Sequence, residues 1–512
     1  MRRTRQVPSN VPNLVPISLA ATGLLAAFCT TDVKSASVPE NSDVPASGKL
    51  FFQNRNINVT NLYNDTCAKC HGINGEGGGG GTKTLLEDDM FDQKLDRPYF
   101  DAIKDGVPHM GMEAYGGTMS DEVVWSLVVH VRELQGKAYR ARKGSSKPDD
   151  SGVYKSKLHN FKVETFFDDQ LKTPWAIDWL TDGNAIVTNR DGRVMVVDKA
   201  RKSTLVEGVP ESVELGQGGM MDVAVHPRYA SNGWIYLTYS EPKKDSPRAA
   251  MTKVVRGKLK SSNGNWSWTS QETIFEVDQK FYTGAGIHFG SRIVFDGKGH
   301  VYFNVGERGG NMLAQEIDNP FGKIYRTMED GKVPSDNPFV DQKAKGSHVA
   351  AMWSLGHRNP QGLAVDLAGN LWDTEHGPRG GDEVNLIKRG ANYGWPVIAF
   401  SINYNDAPFR TPWPKEGQNL ELPAFRWLPS TGASGLDTSK GNAFPLWKGD
   451  LLAGGLVGQN LDRLRMKDGK LVDREEILHG MGRIRDVAVG PDGFVYIVLN
   501  GPDKVVRLVP TK

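Results

Sequence analysis

The chain has 512 residues, with 62 Lys+Arg against 60 Asp+Glu for a net charge of +2, and 38% hydrophobic residues. This balance excludes disordered and collagen-like classes and leaves no general field to gather nucleic acid or an anionic membrane surface. Only three cysteines occur, too few for a disulfide-stapled scaffold, while 58 glycines exceed the norm of ~7% and point to turn-rich β structure.

Arg2, Arg3 and Arg5 precede an uncharged stretch from Leu14 to Phe28, which is followed by Ser35-Ala36-Ser37. This pattern predicts a secretory signal peptide over residues 1–36 and a periplasmic mature protein. Those residues carry four basic and one acidic side chain, so their removal takes the net charge from +2 to −1. Cys29 closes the apolar stretch, but the bulky Phe28 before it argues against lipidation. No later segment reaches the ~18 apolar residues of a membrane helix, and a soluble monomer is expected. Sequons stand at Asn58, Asn64 and Asn265; a glycan on Asn64 would crowd Cys67 and fits poorly with the next motif.

Cys67-Ala68-Lys69-Cys70-His71 is C-x-x-C-H, in which two thiols bond to haem vinyl groups and the histidine coordinates iron. A redox dithiol would explain the cysteines alone, and no thioredoxin-like βαβ pattern surrounds them. A lone methionine is ordinarily core filler, but this haem needs a sixth ligand, for which Met112 and its competitor Met110 are candidates. Ser120 then reads as an N-cap, with Asp121 and Glu122 in the first turn. Val124, Leu127, Val128, Val131 and Leu134 follow at helical spacing. Met112-Glu113-Ala114-Tyr115-Gly116 and Cys70-His71-Gly72 resemble class I c-type cytochromes over residues 45–136. The resemblance implies a small all-α domain over 37–136, one covalent haem c, and a closing helix packed on an earlier one near Leu50-Phe51-Phe52. Gly75, Gly77 and Gly80 formally satisfy G-x-G-x-x-G, but no strand precedes them, so a loop beside the haem is the better reading than a dinucleotide site.

Residues 137–159 lose hydrophobic periodicity and gain Lys, Arg, Gly, Ser and Pro, the composition of an exposed linker. Over 160–512 one pattern recurs: a short apolar strand, a turn rich in Gly, Asp or Asn, and a second short strand. It runs from Trp175 through Gly183, from Met221 through Gly233, from Arg292 through Gly297, from Leu363 through Gly369, from Leu446 through Gly449, and from Val487 through Gly493. The turn glycines average 62 residues apart, which fits four-stranded blades with long loops. Two stacked sandwiches are the alternative; unbroken recurrence without a second linker favours an all-β, six-bladed β-propeller.

Between these strands lie Gly216-Gln217-Gly218-Gly219, Ile287-His288-Phe289-Gly290-Ser291-Arg292 and Gly356-His357-Arg358-Asn359-Pro360-Gln361-Gly362. Further along come Glu375-His376-Gly377-Pro378 through Asp382-Glu383, Asn392-Tyr393-Gly394-Trp395-Pro396, and Arg483-Ile484-Arg485-Asp486. Over about 160–510 these resemble the pyrroloquinoline-quinone (PQQ)-dependent glucose/sorbosone dehydrogenase family, most closely its aldose sugar dehydrogenase branch.

The resemblance implies PQQ and calcium over a central channel. His288 is implied as general base, Arg358 and Asn359 as the pair facing the quinone oxygen, and Gln217, Trp427 and, more weakly, Arg308 as cofactor contacts. Arg483 and Arg485 lie two apart on one strand face, where forked guanidiniums suit carboxylates. Gly377 and Pro378 are implied as carbonyl ligands of a cofactor calcium, and Glu383 and Tyr393 as members of a second calcium site. The family lysine is missing: Val457 stands in its place. The expected activity is oxidation of an aldose at C1 to a lactone, with electrons passed to the fused haem and on to an external cytochrome or respiratory acceptor. The alternatives are a sorbosone or other non-aldose dehydrogenase, or a non-enzymatic sugar- or protein-binding propeller with an electron-transfer cytochrome.

Overall fold

The computed structural model describes residues 56–79, 82–87 and 93–511. The signal-peptide residues, Cys29, the segment Leu50-Phe51-Phe52 and Gly80 lie outside them.

The N-terminal part is helical. Asn58 caps the helix Val59–Thr66 by accepting from Asn61 N at 2.8 Å, and Ala68–His71 forms a single further turn. Asp96–Asp105 and the long Asp121–Lys143 follow. The last is favoured at both ends, with Asp121 and Glu122 in its first turn and Arg140, Arg142 and Lys143 in its last. Ser120 takes the N-cap position with extended backbone, although its hydroxyl caps nothing. Val124, Leu127, Val128 and Val131 are buried with Val59, Tyr63 and Phe100. Full burial of each such side chain is worth about 1.5–3 kcal/mol.

The helix overruns the boundary expected at residue 137. Gln135 and Gly136 are themselves buried, and the basic residues that resembled a linker end the helix, where its dipole favours cations. The remaining residues before 160 are held down. Ser146 N donates to His479 O at 3.0 Å, Lys157 N to Glu475 Oε1 at 2.6 Å, and Tyr154–Lys155 pairs with Asn160–Phe161.

The rest is β, in propeller-like sheets whose strands pair antiparallel except for Ser203–Glu207 and Asn265–Phe275, which pair parallel. Six strands occupy corresponding inner positions: Pro174–Trp179, Met220–Val225, Ile293–Phe295, Pro360–Val365, Ala433–Thr438 and Arg483–Val489. Each packs on the next, and the last packs on the first. Four aspartates, Asp222 and Asp486 buried and Asp178 and Asp437 half-buried, peg them together through neighbouring main-chain N–H groups. Asp178 accepts from Val225 at 2.6 Å, Asp222 from Ile293 at 2.7 Å, Asp437 from Val489 at 2.8 Å and Asp486 from Ile177 at 3.2 Å. The two ends of the β region close against each other: Asn160–Phe167 pairs with Lys504–Pro510 in a single sheet.

All six turn glycines have positive φ, between 68° and 87°, a region in which glycine alone is unstrained. One expected strand is corrected. Leu446-Trp447 lies in a 3-10 turn, Pro445–Trp447, because Pro445 offers no N–H to a ladder; the inner strand there is Ala433–Thr438. No helix among the described residues is long and apolar enough to cross a membrane.

Candidate active site

His288 sits at a main-chain φ of 54°, an uncommon conformation for a residue with a side chain, and two groups hold it there. Gln217 Oε1 accepts from His288 N at 2.9 Å, and the Glu307 carboxylate makes a short contact with His288 Nδ1. Glu307 is completely buried, and its second oxygen accepts from Asn311 N at 2.8 Å. With Nδ1 engaged, Nε2 is the nitrogen left for chemistry. Burial, then the charge of Arg358, pulls the His288 pKa below the usual imidazole value against the pull of Glu307.

Arg358 Nη1 donates to the carbonyls of His376 at 3.1 Å and Gly377 at 3.0 Å. Its Nε is buried and meets no acceptor among the described residues, and the same is true of His376 Nε2. Asn359 turns its amide oxygen inward, accepting from Gly290 N and Gln361 Nε2, each at 3.2 Å. Arg485 touches only neutral oxygens, Gln361 Oε1 at 3.2 Å and Asn500 Oδ1 at 3.4 Å, and no carboxylate pairs with it or with Arg483 among the described residues. Burial, then the neighbouring Arg483, pushes the Arg485 pKa down to about 9. Two histidines and three arginines therefore converge, and the nearby Glu307 is already spent on His288. This charge imbalance fits a ligand with several carboxylates.

Two residues expected at the cofactor are turned elsewhere. Arg308 donates to the carbonyls of Ile287, Ala250 and Ala285 and lies 3.6 Å over the Phe289 ring, so its fork is consumed by the loop. Trp427 is buried between sheets, with Nε1 donating to Asp462 at 2.6 Å and its ring edge-on to Phe425. Val457 is exposed and supplies no cation.

The loop carrying Gly377 and Pro378 is shaped by Asp382. Its carboxylate accepts from Gly377 N at 2.9 Å, Ser430 Oγ at 2.6 Å, Thr431 N at 2.9 Å and Ala433 N at 3.0 Å. A Cβ at Gly377 would stand 2.3 Å from Gly380 O. Behind the loop, His357 Nδ1 lies 3.1 Å from Glu375 Oε1 and 3.5 Å from Asp373 Oδ2, and Asn385 Nδ2 bridges Glu375 and Glu383 at 3.1 and 3.3 Å. Burial and mutual repulsion raise the Asp373 and Glu383 pKa values well above the usual carboxylate range. Such a group fits a hard divalent cation. The Tyr393 hydroxyl is engaged by Leu386 O and Lys388 N, so a cation contact from Tyr393 would use its carbonyl.

At the other candidate centre, Cys67 and Cys70 are free, and His71 Nδ1 is buried without an acceptor among the described residues. Met112, like Cys67 and Ala68, is partly buried against the helical core, whereas Met110 is 75% exposed. Gly77 N donates to His71 O at 2.8 Å, so the glycine-rich segment is a loop folded on the histidine.

Residues 171–507 match the family described as Glucose / Sorbosone dehydrogenase. The chain belongs to that family. Residues 57–131 match a second one, Cytochrome C oxidase, cbb3-type, subunit III, which makes the N-terminal part a cytochrome c domain. Aldose sugar dehydrogenase YliI of Escherichia coli is 38% identical over 337 residues, covering 64% of this chain and 88% of that one. Quinoprotein glucose dehydrogenase B of Acinetobacter calcoaceticus is 30% identical over 275 residues, 48% of this chain and 54% of that one. Among solved structures, the apo-form of the soluble E. coli aldose sugar dehydrogenase superposes with a TM-score of 0.61 at 35% identity, over 69% of this chain and all of that one. The PQQ-bound aldose sugar dehydrogenase of Streptomyces coelicolor superposes with a TM-score of 0.52 at 26% identity, over 69% and 98% of the two chains. Members of this family are oxidoreductases, and PQQ carries the several carboxylates that the cationic cluster calls for.

His376, Glu307 and Asp382 were missed as individual site residues in the sequence. His376 and Asp382 lie inside a motif that was recognised; Glu307 precedes Arg308 with no spacing to tie it to His288.

Proposed function

We propose that this is a periplasmic, six-bladed PQQ-dependent dehydrogenase that oxidises aldoses at C1 to lactones and delivers the electrons to its own haem. The observation that carries the reading is the buried Glu307–His288 pair beside Arg358, Arg483, Arg485 and His376, whose side chains meet no carboxylate among the described residues.

Bound PQQ supplies the hydride acceptor. Arg483 and Arg485 would hold its carboxylates, and Arg358 and His376 would offer it further donors. His288 Nε2 takes the proton of the C1 hydroxyl; the O–H and C1–H bonds break, the C1=O bond forms, and the electron pair leaves with the hydride. Glu307 fixes the imidazole ring and stabilises its charged form, as a buried acid does behind a histidine base. The Arg358 guanidinium favours negative charge developing near it. Calcium would be held by the carbonyls of Gly377 and Pro378, and a second ion by Glu383 with Glu375 and the Tyr393 carbonyl. Haem c would be held covalently by Cys67 and Cys70, with His71 and Met112 as the residues available to its iron, and would supply one-electron transfer. An external cytochrome or respiratory acceptor completes the chain.

The test is to load the haem protein with calcium and PQQ, demonstrate cofactor binding, and follow haem reduction with a panel of sugars. Reduction by aldoses is expected; binding without reduction by any sugar would overturn the reading.

A further inference from the structure

The loop that carries Gly377 and Pro378 does not end at the candidate active site. Its next residue, Arg379, reaches out to the cytochrome c domain. Nε and Nη2 donate to the two carboxylate oxygens of Glu133, on the Asp121–Lys143 helix, at 2.8 and 2.7 Å. Nη1 makes a short contact with Asp406, itself bound to the start of the Val59–Thr66 helix. Asp406 O accepts from Val59 N at 2.9 Å, and its carboxylate accepts from Thr60 Oγ1 at 3.3 Å and Asn58 Nδ2 at 3.4 Å. The helix that begins there ends at Thr66, immediately before Cys67.

The surrounding contact is apolar and close. Trp125 packs edge-on against Trp413 at 4.9 Å and Phe400 at 5.7 Å, and Ile402 is completely buried. A Cβ on Gly380 would lie 3.1 Å from Val129, so the loop approaches the helix as nearly as a glycine permits. A second ion-pair group flanks this contact: Asp96, 2% exposed, binds Arg132 at 2.6 Å and also Arg426, the cross-strand partner of Glu383. Beside the helix contact, His130 is buried with neither ring nitrogen hydrogen-bonded among the described residues. Its ring lies 4.8 Å from that of Tyr63, whose hydroxyl donates to Gly72 O at 3.0 Å, next to His71.

We propose that Arg379 is a positioning residue for internal electron transfer. It clamps the cofactor loop to both helices that frame the haem site, so the cytochrome is seated in place and does not sample the propeller from a loose tether. This rests on the functional reading above. Each sugar oxidised releases two electrons and two protons; ferric haem takes the electrons singly, and an external one-electron acceptor reoxidises ferrous haem between them.

The test uses the full-length haem protein and two mild variants away from the catalytic group, Glu133→Gln and Asp406→Asn. Asp406 has a φ of 62°, which asparagine tolerates. In the PQQ-free protein, hydrogen–deuterium exchange across residues 121–143 and 400–413 is expected to rise in both variants. In the loaded protein, haem reduction by sugar is expected to slow about tenfold as the docked population falls. Reduction of a small phenazine dye, taken directly from the cofactor, stays at the wild-type rate. Unchanged exchange, or raised exchange with unchanged haem reduction, overturns the proposal. If no sugar reduces the wild-type haem, the functional reading falls instead, and the exchange comparison still decides whether the clamp exists.

Discussion

The carboxylate of Glu307 is buried against Nδ1 of His288, and the histidine is 8% exposed. The pair sets which imidazole nitrogen faces the substrate and how readily it takes a proton. The folded-state pKa of His288 lies below the usual value near 6.5. The unprotonated base therefore persists on acidification past that value, and kcat is lost only as pH falls through the lowered pKa. Glu307→Gln removes the group that holds the pKa up, so the acid limb of the pH–rate profile moves to still lower pH. The maximal rate also drops, by about 10²–10⁴-fold for loss of general-base support. His288→Ala is expected to retain PQQ binding and lose sugar-driven reduction by a similar factor, which stopped-flow spectroscopy measures.

Arg485 carries a half-buried charge whose side-chain hydrogen bonds go only to neutral oxygens. Arg485→Met is expected to raise the melting temperature of the PQQ-free protein, because a desolvated cation that lacks a carboxylate partner is removed. The same substitution weakens PQQ binding by about 2–5 kcal/mol, since a ligand carboxylate then loses its partner. Differential scanning fluorimetry and a cofactor titration give the two opposite signs.

Asp373 and Glu383 have pKa values raised well above the unfolded carboxylate value by burial and by one another's neighbours. In the metal-free protein they hold protons that the unfolded chain has lost, so their contribution is least unfavourable at low pH. Stability falls as pH rises from the unfolded value, near 4, through the raised ones. Calcium removes this loss. The calcium-dependent gain in melting temperature is expected to be larger at pH 8 than at pH 5, and worth about 2.7 kcal/mol at 100 times Kd. Asp373→Asn is expected to shrink that gain, as measured by melting with and without chelator.

Met112 packs against the same helical core as Cys67, whereas Met110 is exposed. Met112→Ala is expected to abolish the sulfur–iron charge-transfer band and lower the haem potential. Met110→Ala is expected to leave both unchanged.

The sequence determined what is local. C-x-x-C-H places three haem-bonding groups within five residues, so no knowledge of the fold is needed to read it. The six turn glycines mark positions whose main chain demands positive φ, and they were legible for the same reason. His288, Arg358 and Gly377 were legible because they stand inside long motifs.

The tertiary structure decided every pairing between distant segments. Glu307 carries no spacing that links it to His288. Nothing near Trp427 shows that its ring is covered by neighbouring strands, and nothing near Arg308 shows that its fork is consumed by carbonyls. The closure of Asn160–Phe167 on Lys504–Pro510 joins opposite ends of the β region. Residues 137–143 resembled a tether because basic side chains suit both solvent and a helix C-terminus, and only the packing of the preceding turn distinguishes the two. Composition can place a charge on the chain, but the partner that it meets is chosen by the fold.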